Sequence, residues 1–360
     1  TQCDAQIATV KVKLAAFAKM PLQNNALARW DQIFAEFEDF IGPVGFYSNV
    51  NPSAEVRQAA DDCEVKINQY QTEIYQDAAL YQQIKKIKTT NDIDAKYRQD
   101  ILNDFEDMGI QLSKDQQARL KIILDNLTKI EQEFARNIRD NPEKVEFSAD
   151  ELRGLPNSYI ANLKKNEQGQ YLLGFDYPEY LPFMQLADSD DARKRYQIAY
   201  TRRGTEKNLV LLKQAIDLRY ELAQLFGYKS YADWKLKNRM AQNPETVNQF
   251  LNEVHNIVTP LEKKEVQTLR EFKAETLNIS VEKAEINRWS EGYWSEKLRQ
   301  EKYQIDQEKL REYFPTQASQ DWLFAISSNL YGIEFKPVKV ETWQNEVEYY
   351  DVTDKKTGQL

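Results

Sequence analysis

One histidine, His255, is all that the 360 residues contain. That scarcity excludes a class of metal chemistry. A His-Glu-x-x-His helix needs two imidazoles one turn apart to reach one ion, with the glutamate between them as base. Zinc sites assembled from cysteine and histidine fail for want of ligands, since only Cys3 and Cys63 are available. Two cysteines make neither a disulfide framework nor a thiolate metal site. The expected arrangement is a semi-exposed Cys3 and a Cys63 packed in a helix. His255, in "NEVHNIVTP", reads as a packed or surface helix position. A serine or cysteine triad would have to use it, and no Gly-x-Ser-x-Gly elbow or cysteine signature accompanies it. The phosphate-cradling patterns Gly-x-Gly-x-x-Gly and Gly-x4-Gly-Lys are also missing.

Other shortages concern partners and architecture. Basic residues number 48 against 57 acidic ones, a formal net charge of −9, which argues against nucleic acid and anionic membrane surfaces. No apolar run approaches the ~20 residues that span a bilayer, and no apolar signal region opens the chain. The first residue is Thr1 rather than Met, which leaves room for a removed leader. Cytoplasm and periplasm both remain open. Only 11 glycines and 11 prolines interrupt the chain, so long elements are expected. With 41% hydrophobic and 29% charged residues, the composition is that of a folded globular protein of one or two domains. Aromatics at 12% supply packing between helices.

The spacing of apolar residues predicts helices almost throughout. In "SKDQQARLKIILDNLTKIEQEFARNIRDN", Ser113 and Gln116 form a capping box. Leu120, Ile123, Leu124, Leu127, Ile130, Phe134 and Ile138 then fall on one stripe, and Asn141-Pro142 ends the helix. A second long helix starts near Ser53 with a break around Asp77. A third, "NNALARWDQIFAEFEDFIG", is expected to stop at Gly42-Pro43. Between 141 and 190, Ser148 and Glu151 cap a short turn, and a small hairpin and an extended segment carrying Pro178 and Pro182 should follow. Beyond Asp190 helices resume. One ends at Phe226-Gly227, the next is capped by Ser230 and Asp233, and Pro260 marks a kink or break in another. "DSDDARKR" at 188–195 reads as a helix cap at Asp188 or Ser189 with acidic residues in the first turn and Lys/Arg after them, not a calcium loop. The sequons at Asn126 and Asn278 are matches expected by chance.

Two stretches are more specific. In 208–251 stand Asn208, Leu212, Phe226-Gly227-Tyr228, Ser230-Tyr231-Ala232-Asp233 and Arg239-Met240-Ala241. In 292–358 stand Tyr293-Trp294-Ser295-Glu296-Lys297-Leu298, Glu312-Tyr313-Phe314-Pro315, Tyr331-Gly332-Ile333-Glu334-Phe335 and the pair Asp354 and Gly358. In this order they resemble the zinc metallopeptidases of the thimet oligopeptidase, oligopeptidase A and peptidyl-dipeptidase family. "ELRGLPNSYI" and "YPEYLPFMQLADSDDARKRYQIAY" extend the likeness upstream. Two positions depart from the family pattern: Trp289-Ser290 stands for Trp-Asp, and Trp343-Gln344 for Trp-His.

The resemblance implies a mostly α, multi-helical, two-lobed channel architecture with a small β-hairpin. Residues 1–145 would form an N-terminal helical lobe, 146–190 a hairpin and extended connector, and 191–360 the first part of the catalytic half. It implies zinc as cofactor of the complete enzyme, short peptides as substrate and a monomer. The family's His-Glu-x-x-His helix and its third ligand, a glutamate, come later than the hairpin around Asp354 and Gly358. No catalytic, metal or substrate-binding residue is therefore assigned in this chain. The expectation is a non-catalytic N-terminal part of a peptidase, truncated in "YYDVTDKKTGQL" before the partner of strand 349–352, with apolar surface exposed. The alternative is a zinc-free helical relative that binds peptides or acts as a scaffold.

Overall fold

The computed structural model describes residues 2–22, 25–304, 310–340 and 342–359. The chain is mostly helical with small antiparallel sheets. The first helices are α1 (Gln2–Phe17), α2 (Ala26–Val50), α3 (Ala54–Tyr75), α4 (Ala78–Lys86), α5 (Asp92–Asp107) and α6 (Lys114–Arg139). A mixed stretch holds β1 (Val145–Phe147), α7 (Asn157–Ile160), β2 (Lys164–Lys165), β3 (Tyr171–Leu173) and α8 (Tyr177–Leu186). Then come α9 (Asp190–Thr201), α10 (Thr205–Leu225), α11 (Tyr231–Leu236), α12 (Pro244–Leu277) and α13 (Glu291–Tyr303). The described chain closes with α14 (Thr316–Tyr331), β4 (Ile333–Val338) and β5 (Tyr349–Asp354). The helical pattern of "QEKLREYFP", residues 307–315, lies partly outside the described residues.

Local chemistry sets most of these boundaries. Ser53 caps α3, and Asp77 both breaks the long pattern and accepts from Ala79 N and Leu80 N to start α4. The capping box at α6 is complete. Gln116 N donates to Ser113 Oγ at 3.3 Å, and Ser113 N donates back to Gln116 Oε1 at 3.1 Å.

Four expectations are corrected. Helix α2 does not stop at Gly42-Pro43 but runs through both to Val50. Pro43 forfeits one backbone bond to the turn before it. Phe40, Ile41 and Val44 nevertheless pack on the core from both sides of the weak point, and that packing outweighs local propensity. The segment around Pro178 and Pro182 is helix α8, not extended chain. Pro178 lies in the first turn, where an N–H has no intrahelical acceptor anyway, and burial of Tyr180, Phe183 and Met184 offsets the bond lost at Pro182. Strand β5 is paired: it runs antiparallel to β4, from Ile333 opposite Asp354 to Val338 opposite Tyr349. Its partner precedes it in sequence, across a connection with no hairpin signature. Finally, Cys3 and Cys63 form a disulfide, and both are buried. The 60-residue separation hides a Cα distance of 5.9 Å created by α1 packing on α3. Pro260, for its part, leaves α12 unbroken.

The chain divides into two units. The first comprises Thr1–Asn137, Glu206–Thr246 and Glu341–Val347, and the second Ile138–Thr205, Val247–Val340 and Glu348–Leu360. In the first unit, α1 to α5 enclose a core in which Trp30 meets Phe17, Phe34 and Phe105 at centroid distances of 5.4, 4.6 and 5.9 Å. Leu120, Ile123 and Leu127, the predicted stripe of α6, pack with Ala215, Leu222, Ala223 and Trp234 of α10 and α11. In the second unit, β3 lies between β1 and β2, and Phe147, Leu173, Phe183 and Tyr196 anchor a core under this sheet. A further cluster joins Leu269 of α12 to Tyr293 and Trp294 of α13.

Asp104 of α5 titrates out of the ordinary carboxylate range. Burial first, then the neighbouring Asp107 and Asp100, raise it from 3.8 to about 6. Tyr75 of α3 faces it, and Lys237 of α11's C-terminal end pairs with Asp107. The folded state thus holds this proton more tightly than the unfolded chain, so stability falls as pH rises from about 4 to about 6. Replacing Asp104 with Asn should stabilise the protein by about 1–2 kcal/mol at pH 7 and by nothing near pH 3.5. Urea unfolding at both pH values checks this; an equal gain at each would refute the assignment.

Candidate functional site

In the first unit the motif residues do structural work. Asn208, buried near the start of α10, accepts from Asn137 Nδ2 at 2.8 Å and donates to the Phe134 carbonyl at 3.1 Å. It fastens α10 to the end of α6. Gly227 ends α10 at φ +75°, a left-handed conformation that favours glycine, and lets Tyr228 N reach back to the Ala223 carbonyl at 2.9 Å. Ser230 then caps α11 by accepting from Asp233 N, and its hydroxyl donates to the Asp233 carboxylate at 2.6 Å. Trp343 packs edge-on against Phe46 and Tyr47 of α2, at 4.8 and 6.0 Å between centroids.

In the second unit the residues around α8, α9 and α13 converge on Arg193. Its side chain is 1% exposed. The guanidinium donates to the Ala187 carbonyl, to the Trp289 carbonyl at 3.3 Å and to Asp190 Oδ1 at 2.7 Å, and it lies 4.0 Å from the centre of the Tyr293 ring. Burial pulls its pKa down from the ordinary value, with Asp190 opposing. Asp190 also accepts from Trp289 Nε1 at 2.8 Å, so one carboxylate positions both residues. The Tyr293 hydroxyl donates to Asp188 Oδ1 at 2.9 Å; burial first, then this carboxylate, raise the phenol to about 12. Lys297 approaches the same oxygen at 3.7 Å, and Asp188 N donates to the Arg153 carbonyl at 2.8 Å.

The cap predicted for 188–195 is present, since Ser189 Oγ accepts from Ala192 N. Of the basic residues that follow it, Lys194 and Arg195 are exposed and Arg193 is buried. The signal available in sequence was its place beside Ala192 and Tyr196, both fully buried, on the inward side of α9. Ser290 is wholly buried. Its hydroxyl accepts from Asn287 N at 2.9 Å and donates to the Asn287 carbonyl at 3.1 Å, closing the turn into α13. The arrangement is a rigid polar junction with each charge engaged, suited to holding helices in place.

The hairpin residues are likewise tied. Asp354 Oδ1 accepts from Thr357 N at 2.7 Å and Lys356 N at 2.8 Å, which holds its carboxyl below the ordinary range. Gly358 adopts φ +69°. His255 lies exposed on α12, with Thr259 Oγ1 3.2 Å from Nδ1. Among the described residues no group of three His, Cys, Asp or Glu could hold a metal ion, and no helix is long and apolar enough to cross a membrane.

Comparison with known proteins agrees with the motif series. Residues 183–360 match the family model described as peptidase family M3. Over 350 residues the chain is 32% identical to oligopeptidase A of Salmonella typhimurium, covering 90% of this chain and 51% of that protein. From residue 183 onward the chain is similar to the M3 peptidase family. Oligopeptidase A of Escherichia coli is 31% identical with the same coverage, and saccharolysin of Saccharomyces cerevisiae is 27% identical over 92% of this chain and 49% of its own. The chain spans about half the length of the curated relatives it matches.

M3 peptidases are zinc metallopeptidases. The described residues of this chain do not fit a zinc site: its histidine is alone and exposed, and its two cysteines are joined to each other.

Proposed function

We propose that this chain is the structural, non-catalytic part of an M3 peptidase that hydrolyses short peptides as a monomer, with zinc ligands and general base supplied from outside the 360 residues. The observation that carries the reading is the 32% identity to an oligopeptidase A along 90% of the chain, against a sequence with a single histidine. What these residues contribute is rigidity. The Arg193 junction, the Asn208 tie and the Asp354 turn coincide with positions that carry the family likeness, and each immobilises an element boundary.

The test compares two polypeptides on internally quenched fluorogenic peptides of about ten residues. The complete product of the source gene should cleave them, lose activity to a chelator and regain it with zinc. The 360-residue chain should cleave none of them, with or without zinc. Turnover by the 360-residue chain would overturn the division of labour. A complete gene product that binds such peptides without cutting them would overturn the peptidase reading in favour of a zinc-free binding protein.

Exposed apolar stripes give a second expectation. Leu209, Leu212, Ile216 and Tyr220 on α10, and Phe250, Val254, Ile257 and Leu261 on α12, fall at three- and four-residue steps and are exposed. Faces of this kind favour association. The 360-residue chain should show concentration-dependent mass in size-exclusion chromatography with light scattering, which Val254→Lys with Ile257→Lys reduces.

A further inference from the structure

We infer that the Cys3–Cys63 disulfide is a structural staple, and that the native first unit is built for an oxidising compartment. The argument is independent of the peptidase reading. The two sulfurs belong to the only cysteines in the chain, and both residues are buried in the core formed by α1 to α5. The bond joins the first turn of α1 to the middle of α3. Beside it, Lys66 Nζ of α3 pairs with Asp4 Oδ1 of α1 at 2.7 Å, so a covalent and an ionic tie hold the same two helices at one place. The rest of α1 is held by Val10, Leu14 and Phe17. Without the staple, the first turn keeps an exposed ion pair, which contributes little.

The disulfide closes a loop of 60 residues that contains most of α1, all of α2 and the first half of α3. Removing that closure from the unfolded chain shifts the folded-to-unfolded ratio by about a thousandfold in the chain-entropy account. Cys3 and Cys63 line an open cavity of about 590 Å³ together with Phe40, Val44, Tyr47 and Asp62. Formation takes one electron and one proton from each thiol. The electron pair passes to a thiol–disulfide oxidoreductase, or to an oxidised low-molecular-weight thiol, whose own disulfide is reduced to two thiols. Reducing compartments keep such pairs open, whereas periplasmic and extracellular spaces keep them closed. Once reduced, two buried thiols pack as small apolar groups. The expected result of reduction is a weakened fold rather than a different one.

The experiment uses the 360-residue chain secreted into a bacterial periplasm and purified without reductant. Maleimide mass tagging under denaturing conditions should find no free thiol before reduction and two after it. In urea, dithiothreitol should lower the folded-to-unfolded ratio by a hundred- to a thousandfold, bringing the wild type to the Cys3→Ala/Cys63→Ala variant, which reductant leaves unchanged. Two free thiols in the periplasmic product would overturn the inference. So would a reductant effect below tenfold on the bonded protein. The thiol count decides the first point even if the double variant does not fold.

Discussion

Replacing Arg193 with Met should destabilise the chain by about 3–5 kcal/mol, the largest effect expected of any single substitution at the junction of α8, α9 and α13. The estimate follows from what the guanidinium leaves behind. The Ala187 carbonyl, in a fully buried residue, and the Trp289 carbonyl, in a half-buried one, lose their donors, at about 1–2 kcal/mol each. The contact with the Tyr293 ring is worth about another 1–2 kcal/mol when desolvated. Asp190 is half exposed and keeps its bond from Trp289, so the lost ion pair adds less than a fully buried one would. Arg193→Lys preserves the charge but cannot reach three acceptors from one planar fork, and should recover less than half of the loss. Thermal or urea unfolding reads both variants. A loss below about 1 kcal/mol for Arg193→Met would mean that the junction does not hold these helices together.

Gly154→Ala should cost about 2–4 kcal/mol, through two causes that a control can separate. Gly154 has φ +92°, a region that an L side chain rarely adopts. An added Cβ would also lie 2.2 Å from the Leu186 carbonyl oxygen and 2.9 Å from Asp188 Oδ1. The first is backbone at the end of α8, and the second is held by the Tyr293 hydroxyl, so neither yields without moving the Arg193 junction. Gly169 supplies the comparison, because it has φ +81° and open space around the position of a Cβ. Gly169→Ala should therefore show the conformational penalty alone, about 1 kcal/mol. Equal losses at the two positions would show that the close approach at Gly154 contributes nothing.

The candidate site was legible in part, and the division has a physical basis. Ser113, Ser148 and Ser230 act through partners three residues away, so their caps could be read directly from spacing, and all three form the expected bonds. The motif series containing Asn208, Gly227 and Tyr293 pointed to a family likeness, yet it did not say what those side chains touch. Asn208 meets the Phe134 carbonyl 74 residues away, and Tyr293 meets Asp188 105 residues away. Composition did not mark Arg193 apart from Lys194 and Arg195, because it cannot distinguish a basic residue facing water from one facing two carbonyls.

The sequence by itself determined the helical class, the cap positions, the buried stripe of α6 and the exclusion of a histidine-based zinc site, since each depends on neighbours within a turn or on a simple count. Only the tertiary structure decided that α2 and α8 continue through proline, that β5 pairs with β4, that Arg193 is interior and that Cys3 meets Cys63. For α2 and α8 a local preference worth about 1–3 kcal/mol is outweighed by packing, and the other three depend on contacts between residues remote in the chain. Those contacts exist only after the helices have packed.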